Sequence, residues 1–158
     1  MKTLPQQLAA YGAYHRDRRN VLTHFVGIPL IVLAVVTLLS RPAWLAPVVA
    51  SGLALYYLRL DKRLGLLMTG LLALCVVLGQ WAATAPTSIW LALGVGGFVV
   101  GWVIQFIGHV FEGRKPAFID DIMSLAIGPL FVVVEALFAL GLLSQLKAQL
   151  QVHTTPPR

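Results

Sequence analysis

Residues 14–30 read YHRDRRNVLTHFVGIPL and run straight into IVLAVVTLL at residues 31–39, a tract with no charge. The polar half carries two histidines, three arginines and an aspartate before the oil begins. A helix that crosses a bilayer needs about 20 mostly apolar residues, and residues 21–40 supply them. The stretch reads as a membrane helix with a charged arm at its entrance. Its histidines fall where water gives way to lipid.

The rest of the chain agrees. Of 158 residues, 58% are hydrophobic and 11% charged, against about 25% charged in an ordinary soluble domain; mean hydropathy is +0.82. A soluble chain this short could not hide so much apolar surface, because small domains bury only part of what they carry. The expected fold is an all-α polytopic membrane helix bundle, a single integral membrane domain over residues 1–158. About five spans are expected, near 21–40, 43–60, 64–84, 88–112 and 122–146. The breaks are SRPAW, RLDKR, TAPTS and EGRKPAFIDD, each with proline, charge or both. The second span is the shortest, and Gly128-Pro129 is where the last one would break.

A net charge of +6 and a pI near 10.0 would suggest nucleic acid on a soluble protein. Here the basic residues sit between apolar runs, so membrane orientation is the better reading and no nucleic-acid partner is expected. Lys2, Arg16, Arg18, Arg19, Arg59, Lys62, Arg63, Arg114 and Lys115 fall on one side, against Arg41, Lys147 and Arg158 on the other. The positive-inside rule then places the N-terminus in the cytoplasm. The expected location is the inner membrane of a bacterium or the endoplasmic reticulum of a eukaryote. The first 20 residues carry no hydrophobic core of a cleavable signal peptide. The lone Cys75 excludes an internal disulfide framework and any multi-cysteine metal site.

In the fourth span Gly94, Gly97 and Gly101 share a face, and Gly97 with Gly101 forms a GxxxG pair. Such positions let backbones approach in lipid, so an oligomer through this face is one expectation. Further along, the same face turns polar at Gln105, His109 and Glu112. His24 and His109 are brought to the same leaflet, and each follows an amide, Asn20 or Gln105, by four residues. A neighbouring amide would orient an imidazole, as the outer partners of metal ligands do. His15 lies nine residues before His24, which is the opposite face of one unbroken helix at about 100° per residue. Both serve one site only if the helix bends or starts between them, and Gly12 weakens a helix there.

Imidazoles with a carboxylate and no thiolate suit Fe, Zn, Cu or Ni. His153 lies in a polar tail and reads as bland. Asp120 and Asp121 read as helix caps. Glu135 sits mid-span, where a carboxylate costs about 2.5–3.5 kcal/mol, so it should face the bundle. Trp44, Trp81, Trp90 and Trp102 read as interfacial or packing residues. Two other classes compete with a metal enzyme: a small transporter or channel with a His/Glu proton path, and a haem protein with two axial histidines.

Three stretches, YHRDRRNVLTHFVGIPL, GWVIQFIGHVFEGRKPA and IGPLFVVVEAL, together resemble the family named for the metabolism of phytosphingosine to odd-numbered fatty acids. The resemblance runs from about Tyr11 to Gly141. It implies an Fe(II)-dependent dioxygenase that oxidises a 2-hydroxy fatty acid at C2, with O2, and shortens it by one carbon. It also implies that His15, His24 and His109 hold Fe(2+), with Glu112 and Glu135 as the carboxylates of the catalytic site. Arg16, Arg19, Arg114 and Lys115 would meet the substrate carboxylate, and the acyl tail would lie among the spans or in membrane lipid.

Overall fold

The computed structural model describes residues 2–154. They form seven helices and, among the described residues, no strand: α1 (Leu4–Gly12), α2 (Arg18–Leu39), α3 (Leu45–Leu60), α4 (Lys62–Ala83), α5 (Thr87–Glu112), α6 (Ser124–Ala139) and α7 (Ser144–Thr154). Within α5, Ala92–Gly96 form one π-helical turn. The side chain of His153 and the whole of Arg158 lie outside what is described.

Three helices, α2, α4 and α5, are long and apolar enough to cross a membrane. The 22 residues of α2 span about 33 Å at about 1.5 Å per residue. α3 has 16 residues, about a turn short. α6 and α7 together pass the same test only as a pair bent by 118°. By length the count is therefore three, or four with the bent pair.

The expected break at Gly128-Pro129 is not there, because α6 runs through Pro129. The proline lacks the N–H that would reach Leu125, but Ile127, Leu130, Phe131 and Val134 around it are buried. The break comes at Leu140–Leu143 instead. Gly141 takes φ 75°, and the N–H groups of Leu142 and Gly141 bond back to the carbonyls of Leu137 and Phe138 at 2.9 and 3.1 Å. That pattern is a Schellman motif, which glycine stabilises by adopting the left-handed conformation at no steric cost.

The chain divides into two compact units, residues 2–25 with 105–154, and residues 26–104. In the second unit α3 and α4 form a hairpin turned at Asp61, whose carboxylate accepts the Leu64 N–H at 2.8 Å. The pair is so close that a Cβ on Gly65 would lie 2.5 Å from the Leu58 Cα. The glycine face of α5 lies on α2: a Cβ on Gly94 would overlap Leu38, one on Gly97 would come 3.3 Å from Ala34, and one on Gly101 would come 2.6 Å from Ile31. The Gly97/Gly101 face expected to serve an oligomer is thus covered by the protein's own chain. Trp90 donates from its indole to the Thr37 carbonyl at 2.8 Å under the Arg41 guanidinium. Outward on α4 stand Leu66 (69% exposed), Val77 and Trp81 (75%), an apolar surface suited to lipid.

In the first unit α1 packs on α6 and α7. Gln6 accepts the Thr3 N–H at 3.0 Å, and Pro5 stands in the first turn of α1. Leu4, Leu8 and Tyr11 are buried.

Candidate metal centre

α1 ends at Gly12 and α2 starts at Arg18, so the chain breaks between His15 and His24 as their spacing requires. His15, His24 and His109 are all buried, and each offers one ring nitrogen within 4.8 Å of the other two. The ring centroids of His15 and His24 are 4.3 Å apart, and each is 5.2 Å from that of His109.

The tautomers follow from the hydrogen bonds. His15 Nδ1 lies 2.8 Å from the Tyr11 carbonyl, and His24 Nδ1 lies 2.8 Å from the Asn20 carbonyl. A carbonyl only accepts, so both Nδ1 atoms carry the proton and both Nε2 atoms present lone pairs. Those two Nε2 atoms are 2.9 Å apart. Two lone pairs at that distance repel unless a positive charge sits beside them. Two metal–nitrogen bonds of about 2.1 Å meeting at a right angle would set nitrogens about 3.0 Å apart, whereas a tetrahedral angle needs about 3.4 Å. His109 Nδ1 is buried with no hydrogen-bond partner among the described residues. The donor set and its spacing therefore fit a divalent metal bound by nitrogen.

The surroundings keep the rings neutral and dry. Tyr11 stacks on His15 with centroids 4.2 Å apart and planes 9° from parallel, and Phe131 of α6 packs against both rings, 4.9 Å from Tyr11 and 5.6 Å from His15. Burial pushes the His15 pKa down to about 4, so the imidazole offers a lone pair at neutral pH. Burial also raises the Tyr11 phenol above its ordinary range.

Glu112 is not among the group of ligand atoms. Its carboxylate accepts the backbone N–H of Arg16 at 2.9 Å and of Asp17 at 2.8 Å, and the Asn20 amide at 3.1 Å. It thereby ties the end of α5 to the turn that carries His15. Asp17 caps α2 by accepting the Arg19 N–H at 2.8 Å, and the Arg19 guanidinium beside it holds its carboxyl below the usual range. Glu135 lies on α6 one turn beyond Phe131, half-buried and outside the ligand group.

Of the four basic residues expected at the substrate, three are engaged here. Arg19 pairs with Asp17 at 2.8 Å and lies over the Phe111 ring, Arg114 donates to the Ala13 carbonyl at 3.0 Å, and Lys115 pairs with Asp120 at 2.6 Å. The Arg16 side chain is exposed and makes no such bond among the described residues. Asp120 is not a cap: it accepts the Tyr14 hydroxyl at 2.8 Å, and Lys115 and Tyr14 together keep its carboxyl low. Asp121 does act at the start of α6, accepting the Met123 N–H at 3.0 Å.

The expectation that amide side chains orient the imidazoles is corrected. The backbone carbonyls of Tyr11 and Asn20, each four residues before its histidine, do so, and the Asn20 amide serves Glu112 and the Tyr14 carbonyl instead. Backbone partners leave no mark in a sequence. The Tyr11 ring was legible only as an aromatic one helical turn before a histidine.

The family model described as "Mpo1-like: 2-hydroxy-palmitic acid dioxygenase Mpo1-like" matches residues 1–140. The chain is also similar to the 2-hydroxy-palmitic acid dioxygenase MPO1 of Saccharomyces cerevisiae. They are 36% identical over 155 residues, covering 94% of this chain and 87% of the yeast protein. No solved structure matches the chain.

Proposed function

The chain belongs to the Mpo1-like family, and from that membership we propose that it is an Fe(II)-dependent dioxygenase of 2-hydroxy fatty acids. The work is done where two apolar helices meet the cytoplasmic face of a membrane. The observation that carries the reading is the pair of Nε2 lone pairs held 2.9 Å apart by Nδ1 bonds to backbone carbonyls, with His109 beside them.

One 2-hydroxy acid and one O2 balance as the acid one carbon shorter, CO2 and water, so no reducing cosubstrate enters. When bound, iron supplies the redox chemistry that lets O2 oxidise C2. The chain's own residues prepare the place. His15, His24 and His109 would hold the ion. Tyr11 and Phe131 shield the His15 ring from water. Glu112 holds the His15 turn in register with α5. Arg16, exposed beside the site, would meet the substrate carboxylate, to which a guanidinium can bond with two parallel N–H groups. A fatty acid has one end in each solvent, which suits a site at the boundary of both.

Metal analysis of anaerobically purified protein tests the proposal. Stoichiometric iron is expected, with O2 uptake on 2-hydroxypalmitic acid, and both should be lost in His24→Ala and His109→Ala. Full iron occupancy in both variants would overturn the assignment of the ligands.

A further inference from the structure

Two amides near the histidines, those of Asn20 and Gln105, each bury an oxygen that has no hydrogen-bond partner among the described residues, and the Asn20 amide nitrogen is already bonded to Glu112. Gln105 is 4% exposed, and its Oε1 is buried with no hydrogen-bond partner among the described residues. A buried, unpaired amide oxygen is costly, so such a group calls for an explanation. Gln105 stands on α5 one turn before His109 and on the same face. Its level against α2 follows from two contacts. Asn20 reaches Glu112, whereas His24, one turn further along α2, comes beside His109, three residues back in α5. The helices are therefore antiparallel here, and Gln105 lies on the side of His109 away from Glu112. The helices are also close: a Cβ on Gly108, between Gln105 and Glu112, would overlap the Thr23 hydroxyl and come 2.5 Å from Asn20 Oδ1.

No donor from the imidazoles of His15 and His24 answers this oxygen. The Nδ1 protons of His15 and His24 are committed to carbonyls. A bound 2-hydroxy acid brings a donor of its own. Its ionised carboxylate only accepts, so the hydroxyl on C2 is its one O–H. Resting on the dioxygenase reading, we propose that Gln105 is the specificity-determining residue: its amide hydrogen-bonds the 2-hydroxyl and so selects 2-hydroxy acids over unsubstituted fatty acids. Either end of the amide can answer a hydroxyl, which both donates and accepts. A site that hydrogen-bonds a substrate hydroxyl rejects the analogue without it, because the protein's own polar group is then left unpaired.

The test is anaerobic binding, without turnover, of 2-hydroxypalmitic and palmitic acids to the iron-loaded protein in detergent, in wild type, Gln105→Leu and Gln105→Met. The methionine variant keeps the length of the side chain and removes its polar end. Both variants are expected to keep their iron and to lose roughly tenfold or more of the preference for the 2-hydroxy acid, with palmitic acid binding unchanged. A wild-type preference that survives in both variants overturns the role of Gln105 alone. Iron lost from both variants also overturns it, because the amide then serves the metal. A wild-type protein with no preference for the 2-hydroxy acid sinks the proposed function as well, and is told apart from the other outcomes by that measurement on the wild type.

Discussion

Glu112 shows how a single side chain can serve a centre it does not touch. Its carboxylate gathers the N–H groups of Arg16 and Asp17 and the Asn20 amide, so the turn bearing His15 is fixed to the end of α5 that bears His109. Such outer contacts change metal affinity by about 10–100-fold when removed. Glu112→Gln removes the charge and one acceptor oxygen. It should weaken iron binding by at least about tenfold and lower stability by about 1–3 kcal/mol, read by chelator competition and by denaturation. Iron affinity equal to wild type would refute this account. At this scale the sequence was legible in kind and not in partner. The three histidines, their shared end of the molecule and the need for a break before His24 could all be read from spacing. The bonds of Glu112 could not, because two of its partners are backbone groups 95 and 96 residues away in the chain.

At the scale of the helix, close approach sets the site. Gly108 faces Asn20 and Thr23 with no room for a methyl group, whereas Gly70 on α4 has nothing within 4 Å of the same position. Gly108→Ala should splay α2 from α5 and cost both iron and thermal stability. Gly70→Ala should be neutral or slightly stabilising, since alanine favours a helix by about 1 kcal/mol over glycine. Thermal unfolding of the two variants with iron analysis checks the pair, and equal behaviour would remove the packing argument. Most helices were legible from apolar runs and their proline or charged breaks. The end of the last one was not: proline drew attention to residue 129, while the stop lies at Gly141, in the run ALGLL, where glycine closes the helix. The glycine face of α5 was legible as a contact, but its partner, α2, was not.

At the scale of the whole molecule, composition alone pointed to lipid, and the exposed aliphatic faces of α4 and α5 agree with it. Stability as a whole should report the buried ring of His15. Its pKa is near 4 in the folded chain and near 6.5 when unfolded. As pH falls through 6.5 the unfolded chain takes up a proton that the folded one refuses, so stability is present above 6.5 and is lost progressively towards 4. Metal-stripped protein in detergent should therefore melt at steadily lower temperature across that window, and a flat profile would contradict the neutral, buried ring. Three imidazoles without thiolate or carboxylate among the gathered donors have one more consequence. In the Irving–Williams order such donors hold copper, nickel and zinc more tightly than ferrous iron, so the pocket has no chemical means of refusing them. If iron is the working metal, as proposed, its loading must then come from supply, and protein made in zinc-rich medium would emerge mismetallated, folded and inert.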